Sequence, residues 1–300
     1  MTPERLSPIG LYSSDPWSPR VDALERALNS LEVEVLRVIP WKVSRIGSSD
    51  QHQIVSGTHD LTSLELLLVL DLGANDIGTF FSRVGLLSAL AEMGVDIVNS
   101  VSSILQMRNK AETMRKLVTG GLPVPRTLIT ESIEDAADFV RNNFPCVLKP
   151  ITGFGGFGVQ LIDRPFDLEN IYDYLKFHSQ MFGKGAYLLQ EYIRGPGFDV
   201  RAFVLDNEVI ATMQRVSSRG EFVTNLHAGG RPRPNDIDVI ELAIQAARAV
   251  KGRMVGVDLL PDRGGDLWVL EVNATPGWTG LERVTGTDIA GYVADSISRS

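Results

Sequence analysis

Asp258, Glu271 and Asn273 are the residues whose types and spacing point most directly to chemistry. They stand in two apolar runs separated by the turn-forming residues 262–265, a pattern that predicts a β-hairpin. If those four residues form the turn, Asp258 faces position 269. Because strand side chains alternate, the two carboxylates and the amide then lie on one face of the hairpin.

Such a set of oxygen donors suits a magnesium ion. Burying two acids and an amide among leucine, valine and tryptophan side chains costs free energy unless a cation or hydrogen-bond donors compensate. Mg²⁺ binds to few protein carboxylates together with nucleotide phosphates. A solvated polar face on an edge hairpin is the alternative interpretation. A nucleotide-binding loop elsewhere in the chain would decide between the two.

A glycine-rich segment follows Lys149, which ends an apolar run. Residues 153–158 contain four glycines, including Gly155 and Gly156, and such a loop lets backbone N–H groups approach phosphates. It is not a Walker loop, because no Gly-Lys-Ser/Thr follows. A strand is predicted after it, whereas a dinucleotide-binding fingerprint requires a helix. A flexible hairpin connection is the alternative.

Further binding residues stand later in the chain. The apolar strand that closes with Gln190-Glu191-Tyr192-Ile193 could offer backbone groups to an adenine edge, while its glutamate or Asp199 accepts ribose hydroxyls. Arg201, Arg215 and Asn225 lie on or after the next predicted hairpin, where guanidinium groups could hold a phosphate or a substrate carboxylate bidentately. A surface ion pair is the alternative for each arginine.

More than one structural unit must position these residues. Strand and helix patterns alternate over residues 1–99 and predict a small α/β domain. A helix is predicted from Gln106 to Thr119, within a second unit of short strands and helices at 100–188. Residues 189–300 alternate strands with tight turns. The predicted fold class is therefore α/β at the start of the chain and α+β in the rest.

The composition excludes several classes of protein. With 44% hydrophobic and 22% charged residues, neither a disordered chain nor a fibrous repeat is expected. The formal charge of −8 and the lack of a basic run argue against a nucleic-acid partner. The apolar run 64–72 is too short to span a bilayer and no secretory signal is visible, so a cytoplasmic protein with no membrane partner is predicted. Cys146 is predicted to be a buried, inert thiol.

The order of these features resembles the RimK-like branch of the ATP-grasp superfamily, over about residues 95–300. The matching segments are Asn109-Lys110, Val147-Leu148-Lys149-Pro150, the glycine-rich loop, Leu189-Gln190-Glu191-Tyr192-Ile193, Asp199-Val200-Arg201, Thr224-Asn225-Leu226-His227-Ala228-Gly229-Gly230, Asp258, and Glu271-Val272-Asn273-Ala274-Thr275-Pro276-Gly277. Their combination is more specific than any one of them. The resemblance implies an ATP-grasp fold, with an N-terminal α/β pre-ATP-grasp domain and two α+β subdomains that clamp ATP.

The resemblance also implies roles for individual residues. The expected contacts with ATP are made by Lys110, Lys149, Gly155, Gly156, Gln190, Glu191, Tyr192, Ile193, Asp199 and Arg201. The two lysines would contact phosphates, the backbone at 191–193 would hold adenine, and Asp199 would meet the ribose. Two Mg²⁺ ions, for which Mn²⁺ could substitute, would be bound by Asp258, Glu271 and Asn273. Arg215 and Asn225 would act near the γ-phosphate and the acceptor carboxylate.

The implied reaction is an ADP-forming ligation of a carboxylate to an amine through an acyl phosphate. Members of the branch commonly add L-glutamate to a protein C-terminus or to the tail of a pterin or deazaflavin coenzyme, so L-glutamate is the expected amine. Two alternatives stay open. One is a ligase of the lysine or arginine biosynthesis type that joins an amino acid to a carrier protein. The other is a non-catalytic ATP-binding module. A homo-oligomer, either a dimer or a tetramer, is expected.

The acceptor is the least constrained part of the resemblance. Arg83 lies in the poorly matching N-terminal domain and is a candidate for holding the acceptor carboxylate, while His227 belongs to a matched loop. After Gly277 the sequence departs from the Leu-Glu expected in protein-modifying members, so Trp278 and Arg283 are candidates for contact with a different acceptor, such as a coenzyme tail. A tryptophan in the core is the alternative for Trp278.

Overall fold

The computed structural model describes residues 8–47, 52–74, 76–152, 157–182, 186–217 and 230–299. Its N-terminal unit consists of β1 (Ile9–Tyr12), α1 (Pro19–Ser30), β2 (Val35–Val38), β3 (Val43–Gly47), β4 (His52–Ser56), β5 (His59–Asp60), β6 (Leu66–Val69), α2 (Ile77–Glu92) and β7 (Asp96–Val98). The predicted strands form a parallel sheet in the order β2-β1-β6-β7. Strands β3, β4 and β5 form a separate antiparallel sheet that the sequence pattern did not predict. Strand β3 is largely exposed and lacks a regular apolar alternation.

Two helices, α3 (Val101–Arg108) and α4 (Lys110–Thr119), occupy the region where one helix was predicted from Gln106 to Thr119. Asn109 separates them, because its side-chain oxygen accepts hydrogen bonds from the N–H groups of Ala111 at 3.0 Å and Glu112 at 3.3 Å. An asparagine in this position satisfies the free donors of a new helix and so starts one. The interruption places Lys110 in the first turn of α4.

The central unit comprises β8 (Thr127–Thr130), α5 (Ile133–Asn142), β9 (Cys146–Lys149), β10 (Gln160–Ile162), α6 (Pro165–Glu169), α7 (Ile171–Phe182) and β11 (Tyr187–Glu191). Its strands lie in the order β10-β9-β11-β8 and pair antiparallel. The predicted division at 188/189 falls inside β11, although both partners of that strand belong to this sheet. Cys146 is buried, as predicted, and its burial raises the pKa of the thiol to about 12.

The C-terminal unit comprises β12 (Phe198–Leu205), β13 (Glu208–Val216), β14 (Arg231–Pro234), α8 (Ile240–Ala249), β15 (Met254–Pro261), β16 (Leu267–Asn273), α9 (Thr279–Thr285) and α10 (Ile289–Ile297). Its antiparallel sheet has the order β14-β13-β12-β15-β16. One core cluster combines apolar residues of this sheet with alanines of α8, including Val200, Val257, Ala243 and Ala247. The small alanines let the helix lie close to the apolar face of the sheet. Because strand side chains alternate, the opposite face is left for polar side chains.

The chain returns to its N-terminal unit at its end. Helix α10 contacts α1, and Val293 and Ile297 share a core cluster with Leu24 and Leu28. The sequence analysis placed no helix after β16, so α9 and α10 add to the prediction. In the portion of the chain that the structure describes, every helix is too short or too polar to cross a membrane.

Asn99 joins the N-terminal unit to the C-terminal sheet. Its side-chain NH₂ group donates to the carbonyls of Met254 at 2.6 Å and Ala274 at 2.7 Å. Its side-chain oxygen accepts from the backbone N–H groups of Arg253 at 2.7 Å and Met254 at 2.9 Å. The side chain is 1% exposed, so water cannot replace these bonds without local opening.

Asn99→Ala is therefore expected to lower the free energy of unfolding by about 2–4 kcal/mol, because it leaves buried backbone groups unsatisfied. Urea denaturation followed by circular dichroism measures the change. Asn142→Ala, at an exposed position on α5, is the matched control and should change stability by less than about 0.5 kcal/mol. Equal stabilities of the two variants would contradict the bridging role of Asn99.

Candidate active site

The register of the C-terminal sheet brings the predicted acids and amide together. Asp258 on β15 faces Glu271 on β16, and Asn273 faces Gly256 two positions further along. Directly opposed residues share a face, and so do residues two apart on one strand. Asp258, Glu271 and Asn273 therefore lie on one face of the sheet, as the alternation predicted.

The predicted pairing of Asp258 with Val269 is wrong. The turn between the strands spans residues 262–266, and a β-bulge shifts the register so that Leu259 faces Val269 while Asp258 faces Glu271. The turn is one residue longer than predicted and the bulge adds one more residue, so the partner of Asp258 moves by two positions in total, which is one full period of side-chain alternation. The shared face survives for that reason, although the pairing does not.

The same face extends across β12 and β13. Arg201 faces Asp258, and Asp199, two residues earlier on β12, faces Arg215. The chain approaches itself closely here, since a Cβ at Gly256 would lie 2.9 Å from Nη1 of Arg201. Glycine at this position leaves room for the guanidinium group beside the acid.

Asp258 is neutralised by two arginines. Arg201 donates through Nε, and through Nη2 at 2.9 Å, while Nη2 of Arg215 lies 3.0 Å from Oδ2 of the carboxylate. Burial by itself would raise the pKa of Asp258, but the guanidinium groups of Arg201 and Arg215 hold it below its usual value. Asp258 therefore stays ionised although its side chain is 6% exposed.

Asp199 forms a buried ion pair with Arg215. Arg215 binds its carboxylate bidentately, with Nε to Oδ1 at 2.8 Å and Nη2 to Oδ2 at 2.5 Å. Both side chains are almost fully buried. An unpaired guanidinium at this depth would be costly, so the acid serves as its partner, and the ribose contact of Asp199 stays a prediction. Arg201, predicted to contact ATP, likewise directs its guanidinium group to a protein carboxylate, Asp258.

The two predicted phosphate lysines meet this face from the neighbouring units. Nζ of Lys110 lies 3.0 Å from Oε1 of Glu271, and the backbone N–H of Lys110 donates to Ile151 at 3.1 Å. The second bond ties the start of α4 to the segment just after Lys149. Desolvation lowers the pKa of Lys149 to about 8, with Glu271 opposing the shift and Lys110 adding to it. Two cations and one acid thus interact where the three units meet.

A family model for the RimK-like ATP-grasp domain matches residues 107–297. That range contains both lysines, the arginine pairs and the face with Asp258, Glu271 and Asn273. The chain belongs to the RimK-like ATP-grasp family. The sequence resemblance is confirmed, and ATP-grasp ligases use ATP and Mg²⁺.

Two curated relatives are similar in sequence to this chain over most of its length. A Haemophilus influenzae protein named "Probable alpha-L-glutamate ligase" is 34% identical over 226 residues, which cover 73% of this chain and 73% of the relative. An Escherichia coli protein named "Ribosomal protein bS6--L-glutamate ligase" is 36% identical over 208 residues, or 67% of each chain.

Solved structures extend the likeness to the whole chain. The ATP-grasp ligase PsnB complexed with a minimal precursor has a TM-score of 0.74 at 21% identity, and the match covers 99% of this chain and 100% of PsnB. A second PsnB structure, which contains the precursor, Mg and ADP, has a TM-score of 0.72 at 21% identity, with 97% of each chain covered. The predicted ATP-grasp fold is thereby confirmed, including an N-terminal domain that the sequence motifs matched poorly.

The donor set of this ATP-grasp chain fits Mg²⁺. Asp258, Glu271 and Asn273 offer two carboxylates and an amide on one face, and Mg²⁺ takes few protein oxygens when phosphates and water complete its shell. No cluster of three or more His, Cys, Asp or Glu side chains suited to a metal occurs in the described ranges, so a site built from protein acids alone is not found there. Glu271 and Asn273 are more exposed than Asp258 and are the more accessible donors.

The strand end predicted for adenine is partly used by the protein itself. The side chain of Gln190 is buried and donates to Oγ1 of Thr127 at 3.0 Å, and the N–H of Glu191 donates to Arg126 at 2.9 Å. Tyr192 and Ile193, the next two residues, are half-buried, and the adenine contact of this segment stays a prediction.

Trp278 is fully buried, which corrects its assignment to the acceptor. Its ring packs edge-on against Phe203 with centroids 5.5 Å apart, and the guanidinium carbon of Arg20 lies 5.3 Å from its centroid. Trp278 belongs to the core cluster that the C-terminal unit shares with the N-terminal unit. Arg83 donates to the carbonyl of Leu72, and Arg283 is exposed on α9.

Some predicted and some unpredicted residues need separate mention. Gly155, Gly156, Asn225 and His227 lie outside the described residues. The sequence analysis did not select Arg20, Asp71 or Arg108. Arg20 lies 3.9 Å from Asp71 at the carboxyl end of the N-terminal sheet, and Arg108 interacts electrostatically with Asp71 and with Glu271. Polar residues directly after buried parallel strands mark ligand-binding edges in α/β folds, and Asp71 carries that signal.

Proposed function

We propose that this chain is an ADP-forming ligase that attaches L-glutamate to an acceptor carboxylate through an acyl phosphate. The proposal is supported above all by the ion pair between Lys110 and Glu271, which lies on the face that also holds Asp258 and Asn273. This arrangement sets a phosphate-binding cation beside oxygen donors for Mg²⁺. A module that only bound nucleotide would not need both features.

In the proposed reaction the acceptor carboxylate attacks the γ-phosphate of ATP, and ADP leaves. The amine then attacks the acyl carbon, phosphate leaves with the bonding electrons, and the amine gives up a proton. Lys110 and Lys149 hold the phosphates, while Glu271 and Asn273, with Asp258 behind them, are the residues that would bind two Mg²⁺ ions. Bound Mg²⁺ supplies charge neutralisation at the transferring phosphoryl group.

Arg215 has a positioning role in this scheme rather than direct contact with the acceptor carboxylate. Its guanidinium group contacts the carboxylates of both Asp199 and Asp258 and so fixes their positions on the face. Fixed acids and cations stabilise a transition state without reorganising at the moment of reaction. Catalysis on this account comes from placement and charge, with no side-chain nucleophile.

L-Glutamate is proposed as the amine because both curated relatives described above are named as glutamate ligases. This favours it over the amino acids of lysine or arginine biosynthesis. For the acceptor, the burial of Trp278 removes the reason for expecting a coenzyme tail. One relative is named for ribosomal protein bS6 and PsnB is solved with a precursor, so a peptide or protein carboxylate is the proposed acceptor class.

The experiment incubates the purified chain with ATP, Mg²⁺, L-glutamate and panels of protein tails, peptides and coenzymes. Mass spectrometry detects added glutamyl residues, and ³¹P NMR identifies the phosphate products. ADP and phosphate are expected, together with glutamylated peptide or protein. Release of AMP and pyrophosphate would overturn the mechanism, and glutamylation of coenzymes alone would overturn the acceptor class. Titration of Mg²⁺ and Mn²⁺ and light scattering test the predicted ion number, metal substitution and dimer or tetramer.

Nucleotide affinity should depend on pH through Lys149. In the free protein its pKa is lowered from 10.5 to about 8, whereas phosphates favour the charged form and raise the pKa again on binding. Affinity for ADP with Mg²⁺ should thus be full below about pH 8 and fall above it, by up to about tenfold per pH unit. Calorimetry from about pH 7 to about pH 9.5 measures this decline.

Lys149→Arg is the matched variant, because a guanidinium group stays charged throughout that range. Its affinity for ADP should lack the decline. The Lys149 amine also affects the stability of the wild-type protein without nucleotide. The unfolded chain holds the Lys149 proton more tightly, so this group makes stability rise with pH between about 8 and 10.5. If the ADP affinity of Lys149→Arg fell with pH as it does in the wild type, Lys149 would not be the cause of the decline.

A further inference from the structure

An acid is held in place at the carboxyl end of the N-terminal parallel sheet. Strands β1 and β6 are neighbours, so the residues that follow them emerge at the same edge. Ser13 donates through Oγ to Asp71 at 2.7 Å, and the backbone N–H of Ser14 donates to the other carboxylate oxygen at 3.0 Å. These bonds fix Asp71 at the sheet edge.

Two arginines donate to the backbone carbonyls directly before and after Asp71. Nη2 of Arg20 donates to the carbonyl of Leu70 at 3.3 Å and lies 3.9 Å from Oδ2 of Asp71, while Arg83 donates to the carbonyl of Leu72. Arg20 also donates through Nη1 to Pro276 at 3.2 Å. This edge of the N-terminal sheet therefore adjoins the segment that leaves β16 just after Asn273.

Arg108, in the last turn of α3, adds a third guanidinium group. Its Nη2 donates to Oγ1 of Thr275 at 3.4 Å, next to the proline that Arg20 contacts. Burial lowers the pKa of Arg108, and both Asp71 and Glu271 oppose the shift. Arg108 thus interacts electrostatically both with Asp71 of the N-terminal unit and with Glu271 of the C-terminal sheet.

Only one of the three guanidinium groups of Arg20, Arg83 and Arg108 forms an ion pair within the described residues. Arg20 pairs with Asp71, and neither Arg83 nor Arg108 pairs with a carboxylate there. The exposed Asp15 and Asp76 act on Arg20 and Arg83 electrostatically, and Glu271, which acts on Arg108, is paired with Lys110. Partly buried guanidinium groups that lack a paired carboxylate favour the binding of an anionic ligand.

We propose that Arg20, Arg83 and Arg108 form the site that binds the non-reacting carboxylates of the incoming dicarboxylic amino acid. L-Glutamate reacts through its amine and brings two carboxylates that must be neutralised in a partly buried place. Arg108 interacts electrostatically with Glu271 and donates to Thr275, two residues after Asn273, so a glutamate held by the cluster has its amine near the acyl phosphate. This assignment rests on the proposed function and adds the subsite that selects the amine.

The test measures the affinity of L-glutamate for the full chain loaded with ADP and Mg²⁺, by calorimetry, without turnover. Arg83→Gln and Arg108→Gln are each expected to weaken glutamate binding by about 10- to 100-fold, as for lost charge-assisted hydrogen bonds. At position 20 the variant is Arg20→Lys, which keeps the positive charge, because a glutamine there would also disturb the packing of Arg20 on Trp278. Arg141→Gln, exposed on α5 and paired with Asp138, is the control and should bind glutamate like the wild type.

A specificity readout separates binding from a structural role. The wild type should bind L-glutamate more tightly than L-glutamine, which lacks one carboxylate, and this preference should shrink in Arg83→Gln or Arg108→Gln. Affinity for ADP should change by less than about twofold, because the cluster is assigned to the amino acid. In steady state, the same variants should raise the KM for glutamate and leave the KM for ATP unchanged.

Three results would overturn the assignment. One is wild-type glutamate affinity in both Arg83→Gln and Arg108→Gln. Another is a loss of ADP affinity as large as the loss of glutamate affinity, which would mean that the arginines stabilise the packing of the units. A raised KM for the acceptor alone would assign the cluster to the acceptor carboxylate instead. The proposed function is judged separately. Arginine-dependent glutamate binding without ADP formation would reject the ligase and keep the subsite, whereas normal ligation with unaltered glutamate kinetics in the variants would reject only the subsite.

Discussion

Glu271→Ala is expected to lower the rate of ADP formation by roughly a hundred- to a thousandfold. Glu271 faces Asp258, lies 3.0 Å from Nζ of Lys110 and acts electrostatically on Lys149. Removing it takes away a proposed metal donor and an acid that interacts with both lysines. A coupled assay for ADP with saturating acceptor and glutamate measures the loss.

The fold should tolerate this change, because the Glu271 side chain is 26% exposed and water can solvate what remains. Thermal unfolding of the variant therefore serves as the internal check. Glu241→Ala, at an exposed position on α8, is the matched control for loss of an acid and should keep wild-type turnover. Wild-type turnover in Glu271→Ala would rule out this face as the catalytic site.

The second large effect is on stability. Arg215→Leu should lower the free energy of unfolding by about 3–5 kcal/mol, because it leaves the buried Asp199 without its bidentate partner and removes one of the two guanidinium groups on Asp258. Equilibrium urea unfolding measures the loss. The exposed Arg141→Leu should cost less than about 1 kcal/mol.

A double variant tests the cause. Removing both partners in Asp199→Leu with Arg215→Leu should cost less than the sum of the single changes, since no unpaired Asp199 charge then remains. Additive losses would mean that the two side chains contribute independently. A cost below about 1 kcal/mol for Arg215→Leu would contradict a buried ion pair at this position.

Local sequence patterns were sufficient for the face of the hairpin but not for its pairing. Side-chain alternation places Glu271 and Asn273 on one face whatever the turn length, and Asp258 joins that face when its partner moves in steps of two. The five-residue turn and the bulge that together pair Asp258 with Glu271 depend on backbone geometry, for which the residues around them carry no distinct signal. The helix break at Asn109 was, in contrast, present in the sequence as an N-cap residue.

The arginines show where sequence reasoning stopped. Arg201, Arg215 and Asp199 were recognised as residues of a binding region, yet each carries a charge that could serve a ligand or a protein partner equally well. The partner is decided by cross-strand register, since Arg201 faces Asp258 and Asp199 faces Arg215. Burial then makes these ion pairs obligatory, because a lone charge at that depth is too costly.

The sequence by itself determined the family, the order of the lysines, acids and amide, and the face that Asp258, Glu271 and Asn273 share, because these depend on residue type and on periods of a few residues. Only the tertiary structure decided that Arg201 and Arg215 both neutralise Asp258 and that Trp278 belongs to the core. It also decided that Arg20 lies near Asp71 and that Arg20 and Arg108 contact the residues just after β16. Such contacts join residues far apart in the chain, and they depend on how separate units pack rather than on any local pattern.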